Sequence, residues 1–156
     1  MVLLAEALTP ATVCELSPRA LRSLALTYPA IEDALWLDLY LERDLASELI
    51  VSLGRRSASE RLACMLCEIY SRLKAVGLVD ERSFDLPATQ ADRADLLGLS
   101  AVHINRSLMD LRRRRLIAWH GRRFEILRLR ELLDLTQFEP VHSASLLSGT
   151  PELAHG

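Results

Sequence analysis

A mainly α fold with a small β component, led by one long helix, is predicted by three features of this 156-residue chain. Leu, Ala and Arg are abundant while aromatic residues make up only 5%, a composition that favours helices. Apolar residues recur at helical spacing in several stretches, each opened by a Pro or a Ser/Thr start. Short strand-like stretches are confined mainly to the C-terminal half, two of them flanking a glycine. Half of the residues are hydrophobic, which excludes a chain disordered by composition. Acids or bases interrupt every leucine-rich run, so no membrane span is predicted. No basic segment precedes an apolar one at the N-terminus, so no secretory signal is read and a cytoplasmic location is the expectation.

The elements follow in order. Residues 1–15 are mixed, with Thr12-Val13-Cys14 a candidate strand. Ser17-Pro18 reads as an N-cap with proline at the first helical position, opening a short helix that ends before Pro29. From Pro29 to about Leu53 no Pro or Gly intervenes. One apolar stripe there runs Ala34, Leu37, Leu41, Leu45 and Leu49, and a second runs Ile31, Leu35, Leu39, Ala46 and Ile50. Two stripes on one long helix need two partners. The helix is either buried within its own domain or set with one face against a symmetry mate as a two-stranded coiled coil, the reading favoured in so short a chain. Gly54 is expected to end it as the C′ residue, beside Arg55 and Arg56.

Ser57-Ala58-Ser59-Glu60 has the spacing of a capping box and starts the next helix, whose apolar face is Leu62, Leu66, Ile69, Tyr70 and Leu73. Gly77 breaks it, and Ser83 to Leu86 alternates like a short strand before Pro87. Thr89-Gln90-Ala91-Asp92 is a second such start, followed by Ala94, Leu96 and Leu97. Gly98 then forces a turn, Leu99 faces inward, and Ser100 caps a helix from Ala101 to Arg115 that buries Ile104, Leu108 and Leu111. Helix, glycine turn and helix within about thirty residues make a helix-turn-helix signature. Leu116 to Trp119 and Phe124 to Leu127 read as two strands around His120-Gly121-Arg122-Arg123, a hairpin with a basic tip, or wing, with Trp119 in the core beneath it. Residues 129–138 are expected to add a short helix.

Charge is split along the chain. The net charge is −2, yet residues 100–130 hold nine arginines against Asp110 and Glu125, a local +7. Acids elsewhere cannot cancel that field beyond a Debye length of about 8 Å at physiological salt. A basic segment on a helix-turn-helix is the electrostatic footprint of a nucleic-acid partner. Cys64 and Cys67 form a C-x-x-C, but the surrounding residues are helical, no second Cys or His pair is near, and positions i and i+3 share a face, so both are assigned to the core. Cys14 completes a set of three that does not suit a disulfide framework.

The string from Leu86 to Ile117 closely resembles the DNA-binding domain of the Crp/Fnr superfamily of bacterial transcription regulators. It carries Thr89-Gln90, then Leu97-Gly98-Leu99-Ser100, then Val102-His103 with Asn105-Arg106, then Leu108, Leu111-Arg112 and Leu116-Ile117. The long helix with its Leu53-Gly54-Arg55-Arg56 end looks like the family's dimerisation helix and hinge. Residues 1–28 look like a remnant of the end of its N-terminal β-roll sensor domain. The resemblance thus implies a sensor remnant over 1–28, a dimerisation helix over 29–54, a winged helix-turn-helix over 55–138 and a flexible tail over 139–156. It implies a homodimer on an inverted-repeat operator in double-stranded DNA, with RNA polymerase as a candidate further partner and no membrane. Most of the β-roll has no counterpart among these residues. The phosphate cassette and cysteine cluster that hold effectors or iron are also missing, so no cofactor and no metal are expected.

Site residues follow from the same resemblance. Arg106 is expected to read a base, its guanidinium bridging guanine O6 and N7. Ala101, Val102 and His103 share the base-facing end of the helix. Val102 stands where the family often carries an acidic or polar reader, so a thymine methyl is its expected contact. Ser100 with the first backbone N–H groups, Thr89, Arg113, Arg122 and Arg123 are expected to face phosphates. Asn105 is expected to be structural, or at most a backbone contact. Arg112 to Arg115 cannot all face DNA, because four consecutive helical residues span every side. The dimer seam is expected to be Ala34, Leu37, Leu41, Leu45 and Leu49. The rival reading is a winged helix that docks proteins. An enzyme is the weakest reading: the histidines are scattered and no nucleophile motif or glycine-rich phosphate loop is present.

Overall fold

The computed structural model describes residues 7–136, so the readings made for the first six residues and for the tail beyond 136 lie outside the described residues. The chain divides into two compact units at Val51/Ser52. Nine elements follow in order: α1 (Pro18–Thr27), α2 (Pro29–Arg55), α3 (Ala58–Ala75), β1 (Ser83–Asp85), α4 (Gln90–Leu97), α5 (Ala101–Arg113), β2 (Ile117–His120), β3 (Arg123–Ile126) and α6 (Leu129–Thr136). The mainly α class with a small sheet is as the composition and periodicity imply.

In the first unit, Ser17 caps α1 by accepting from the Ala20 N–H, with Pro18 at the first helical position. Thr12 to Cys14 form no strand; the stretch before α1 has neither a ladder partner nor burial among the described residues. A strand needs a neighbour for its backbone groups, and period-two alternation alone does not supply one. The one residue of α2 that is buried is Ser52. Along its predicted seam Leu41 and Leu45 are half-buried, while Ala34, Leu37 and Leu49 are exposed.

Helix α2 does not stop at Gly54, which lies inside its last turn and has no positive φ. The carbonyls that a C′ glycine would cap are met from elsewhere. Arg61 donates to the Leu53 carbonyl at 2.7 Å and to the Arg56 carbonyl at 3.1 Å. A long side chain from the next helix thus replaces the local glycine turn.

The second unit is organised around α3, which packs against α5 and α6. Leu62, Leu66 and Tyr70 are buried as predicted, with Ile69 and Leu73 partly buried against the same core. Cys64 and Cys67 are buried thiols, and burial pushes the Cys67 thiol well above its ordinary pKa, so it stays protonated. At the end of α3 the Leu78 N–H donates to the Leu73 carbonyl at 2.8 Å, with Gly77 at φ 72, a left-handed cap that glycine adopts freely. The three strands form one antiparallel sheet in the order β1-β3-β2, with Phe84 opposite Phe124 and Trp119 opposite Phe124. Phe84 and Phe124 stack with ring centroids 6.0 Å apart.

Both capping boxes form. The Ser57 N–H donates to Glu60 Oε2 at 2.7 Å and the Thr89 N–H to Asp92 Oδ2 at 2.6 Å, with the hydroxyls accepting in return. These backbone donors hold both carboxyls below the ordinary carboxylate value. A depressed folded pKa gives stability that is full above the unfolded value near 4 and is lost as pH falls through the folded one. Acid titration of the fold is therefore expected to steepen below about pH 4, and Glu60→Gln with Asp92→Asn is expected to flatten that limb in circular-dichroism melts.

Candidate nucleic-acid interface

Helix α4 ends at Gly98, whose φ of 58 turns the chain, and Ser100 then opens α5. Ile104, Leu108 and Leu111 anchor α5 in the core, and Leu99 packs at its edge. A helix pinned on that face must present positions 102, 106, 109 and 113 outward. Val102, Arg106, Met109 and Arg113 are indeed exposed, a stripe in which two cations alternate with two apolar side chains. Arg106 makes no side-chain hydrogen bond or ion pair among the described residues. Its guanidinium is free to meet an external ligand.

The N-terminal turn of α5 is more engaged than its sequence suggests. Ser100 Oγ accepts from the His103 N–H and also lies 2.9 Å from His103 Nδ1. With the hydroxyl donating to Nδ1, the imidazole carries its proton on Nε2, directed away from the cap. Ser100 and His103 therefore act as one polar unit. Ala101 is exposed and its carbonyl accepts from Gln90 Nε2 at 3.0 Å, a strut between the first turns of α4 and α5. Gln90 was not singled out by sequence reasoning, although its place beside the Thr89 cap was the available signal. Thr89 accepts from the Asp92 N–H at its own cap, and its side chain also hydrogen-bonds the Asp92 carboxylate.

The basic run at the end of α5 divides by geometry. Only Arg112 and Arg113 are helical; Arg114 caps the helix, and Arg115 takes a left-handed φ of 56. The expected helix to Arg115 is thus two residues too long. The Leu116 N–H donates to the Leu111 carbonyl at 3.0 Å, the cap geometry usually given to glycine. A side chain there costs about 1–2 kcal/mol. Arg115→Gly regains part of this against its greater unfolded-state entropy, and is expected to raise stability by about 0.5–1 kcal/mol in urea denaturation. Asp110 takes Arg113 at 3.2 Å and Arg114 at 4.0 Å. Arg112 lies over the Trp119 ring, 5.3 Å from its centroid, and so ties the end of α5 to β2. Trp119 is half-buried at the edge of the core rather than fully within it, and this guanidinium covers part of its ring.

The wing is a two-residue turn. His120 pairs with Arg123 across it, and Gly121 supplies a φ of 62. Arg122 sits in the turn and is exposed; Arg123 belongs to β3, where Asp85 of β1 stands opposite it. Arg123 Nη2 is 2.8 Å from Asp80 Oδ2. Among the described residues no helix is long and apolar enough to cross a membrane, and no group of three or more His, Cys, Asp or Glu could hold a metal.

Residues 60–135 match the family described as the Crp-like helix-turn-helix domain. The chain is 38% identical over 88 residues to the "Transcriptional activator protein FnrL" of Cereibacter sphaeroides, covering 54% of this chain and 36% of that protein. It is 31% identical over 132 residues to the "Anaerobic regulatory protein" of Haemophilus influenzae, covering 85% and 51%. Among solved structures, FixK2 from Bradyrhizobium japonicum superposes with a TM-score of 0.65 at 26% identity, over 75% of this chain and 57% of that one. The chain spans about half the length or less of these relatives. Over residues 60–135 the chain is thus similar to Crp-like helix-turn-helix domains, and the relatives it matches are transcription regulators that carry such a domain.

Proposed function

We propose that this chain is a sequence-specific DNA-binding transcription regulator of Crp/Fnr type that acts as a homodimer on an inverted repeat. The observation that carries the reading is α5 itself. Its leucine face is locked into the core, while Arg106 stands outward without a partner among the described residues. B-DNA's major groove admits such a helix, and its N-terminal turns reach the base edges.

In this reading Arg106 bridges guanine O6 and N7, and Val102 packs on a thymine methyl one turn earlier. Ala101 is small enough to let the backbone approach, and His103 offers Nε2–H to a base or phosphate. Ser100 brings the first N–H groups of α5 to a phosphate, where the helix dipole favours an anion. The Thr89 hydroxyl, Arg113, Arg122 and Arg123 flank the same groove as phosphate contacts, which position without specifying. Arg113 must exchange Asp110, and Arg123 must exchange Asp80, for that role. The dimer seam is Ala34, Leu37, Leu41, Leu45 and Leu49, with the dimerisation helix over 29–54 and the DNA-binding domain over 55–138. A regulator of this kind works in the cytoplasm, with RNA polymerase as its further partner.

The test is a fluorescence-anisotropy titration against random-sequence duplex at low salt, followed by selection of preferred duplexes from a randomised pool. Enrichment of an inverted repeat with half-sites about one helical turn apart is the expected result. No duplex binding at low salt would sink the reading and favour a protein-docking role for the winged helix.

A further inference from the structure

One arginine of the wing, Arg123, is held by an acid from another part of the domain. Asp80 lies before β1 in a tight turn, its N–H donating to the Ser83 carbonyl at 2.9 Å and its carbonyl accepting from Ser83 at 2.8 Å. Glu81, at φ 54, closes that turn. The Asp80 carboxylate accepts from Arg123, with Nη2 to Oδ2 2.8 Å, although the two residues lie far apart in sequence. Arg122, the adjacent residue in the turn, has no ion pair among the described residues.

We propose that Asp80 sets the protein's sequence-independent affinity for DNA: it occupies Arg123 and so restrains the wing's hold on phosphate. The inference rests on the DNA-binding reading above. Both side chains are at least half exposed, and such pairs contribute only about 0–1 kcal/mol to folding. The pair's consequence lies in binding. A free guanidinium that neutralises a phosphate releases a condensed cation, which is the main source of non-specific affinity. A guanidinium already held by a carboxylate gives no such net gain, because the displaced carboxylate takes up a cation in its turn. An Arg123 that exchanges Asp80 for phosphate therefore adds little net cation release, which leaves that gain in the wing to Arg122 and lowers the affinity for any duplex.

Salt-dependent anisotropy titrations on a random-sequence duplex test this with four variants. Asp80→Asn is expected to bind about eightfold tighter at ~0.1 M salt, with the log–log salt slope steeper by about 0.9, the value of one added phosphate contact. Glu81→Gln makes the same charge change one residue away and is expected to give much less. Asp80→Asn in an Arg123→Ala background is expected to add nothing to Arg123→Ala alone. An equal gain from Glu81→Gln, a gain that survives Arg123→Ala, or no gain from Asp80→Asn would each overturn the proposal while leaving DNA binding intact. Failure of the unaltered protein and every variant to bind duplex at low salt would overturn the DNA-binding reading and this inference with it.

Discussion

Replacing Leu41 and Leu45 together by Glu is expected to leave the protein monomeric and to weaken binding to an inverted-repeat duplex by about 10²–10⁴-fold. Helix α2 runs for 27 residues with Ser52 as its one buried residue. Leu37 keeps 59% and Leu49 39% of its surface exposed. Burying a leucine fully is worth about 1.5–3 kcal/mol, so a row of them at spacings of three and four has a strong drive to find a partner. Two carboxylates per helix at the centre of such a row would bring four like charges together in an apolar seam, at a cost of several kcal/mol. The loss on DNA follows from linkage of the two sites. In a dimer the second recognition helix binds from a high effective concentration, and a monomer forfeits that advantage without losing any contact of its own. Sedimentation velocity reads the first effect and anisotropy the second. A persistent dimer would move the seam to the second stripe, Ile31, Leu35, Leu39, Ala46 and Ile50, and the paired charge change Leu39→Glu with Ile50→Glu would then be the informative variant.

What the sequence made legible was local. Ser57, Thr89 and Ser100 announce helix starts because a hydroxyl three residues from a free N–H satisfies it within one turn. Gly77, Gly98 and Gly121 announce turns because each takes a positive φ. The leucine periodicity of α5 gave its buried face for the same reason. Side chains that reach across the fold were not legible. Arg61 caps the end of α2, so Gly54 punctuates nothing. Arg115 adopts a glycine's conformation because Leu116 is held on both sides, its N–H donating to the Leu111 carbonyl and its carbonyl accepting from Leu127, and the Arg115 side chain gives no hint of it. The partners of the arginines were hidden in the same way. A run of four arginines looks uniform in one dimension, yet Asp110 takes two of them and Trp119 a third. Asp80 and Arg123 are separated by the whole helix-turn-helix, and no periodicity links them. Composition gave the sign of the basic segment; only geometry divides it into free and occupied cations.

That division makes Arg106 the decisive position, and Arg106→Ala is expected to remove most discrimination between the selected inverted repeat and random duplex. One bidentate arginine–guanine contact is worth about 1–3 kcal/mol, and a dimer makes it twice, so about 2–6 kcal/mol of selectivity is at stake. Random-duplex affinity should fall far less, because the loss there is one charge among several. The melting temperature should stay put, since no described residue depends on the Arg106 side chain. Arg106→Lys separates charge from shape. An ammonium keeps the attraction to phosphate but cannot span O6 and N7 with a planar fork. It is therefore expected to bind random duplex like the unaltered protein while discriminating little better than the alanine variant. If lysine restored discrimination, or if alanine lowered operator and random binding by the same factor, Arg106 would be acting as a point charge, and the reading of bases would have to pass to Val102 and His103.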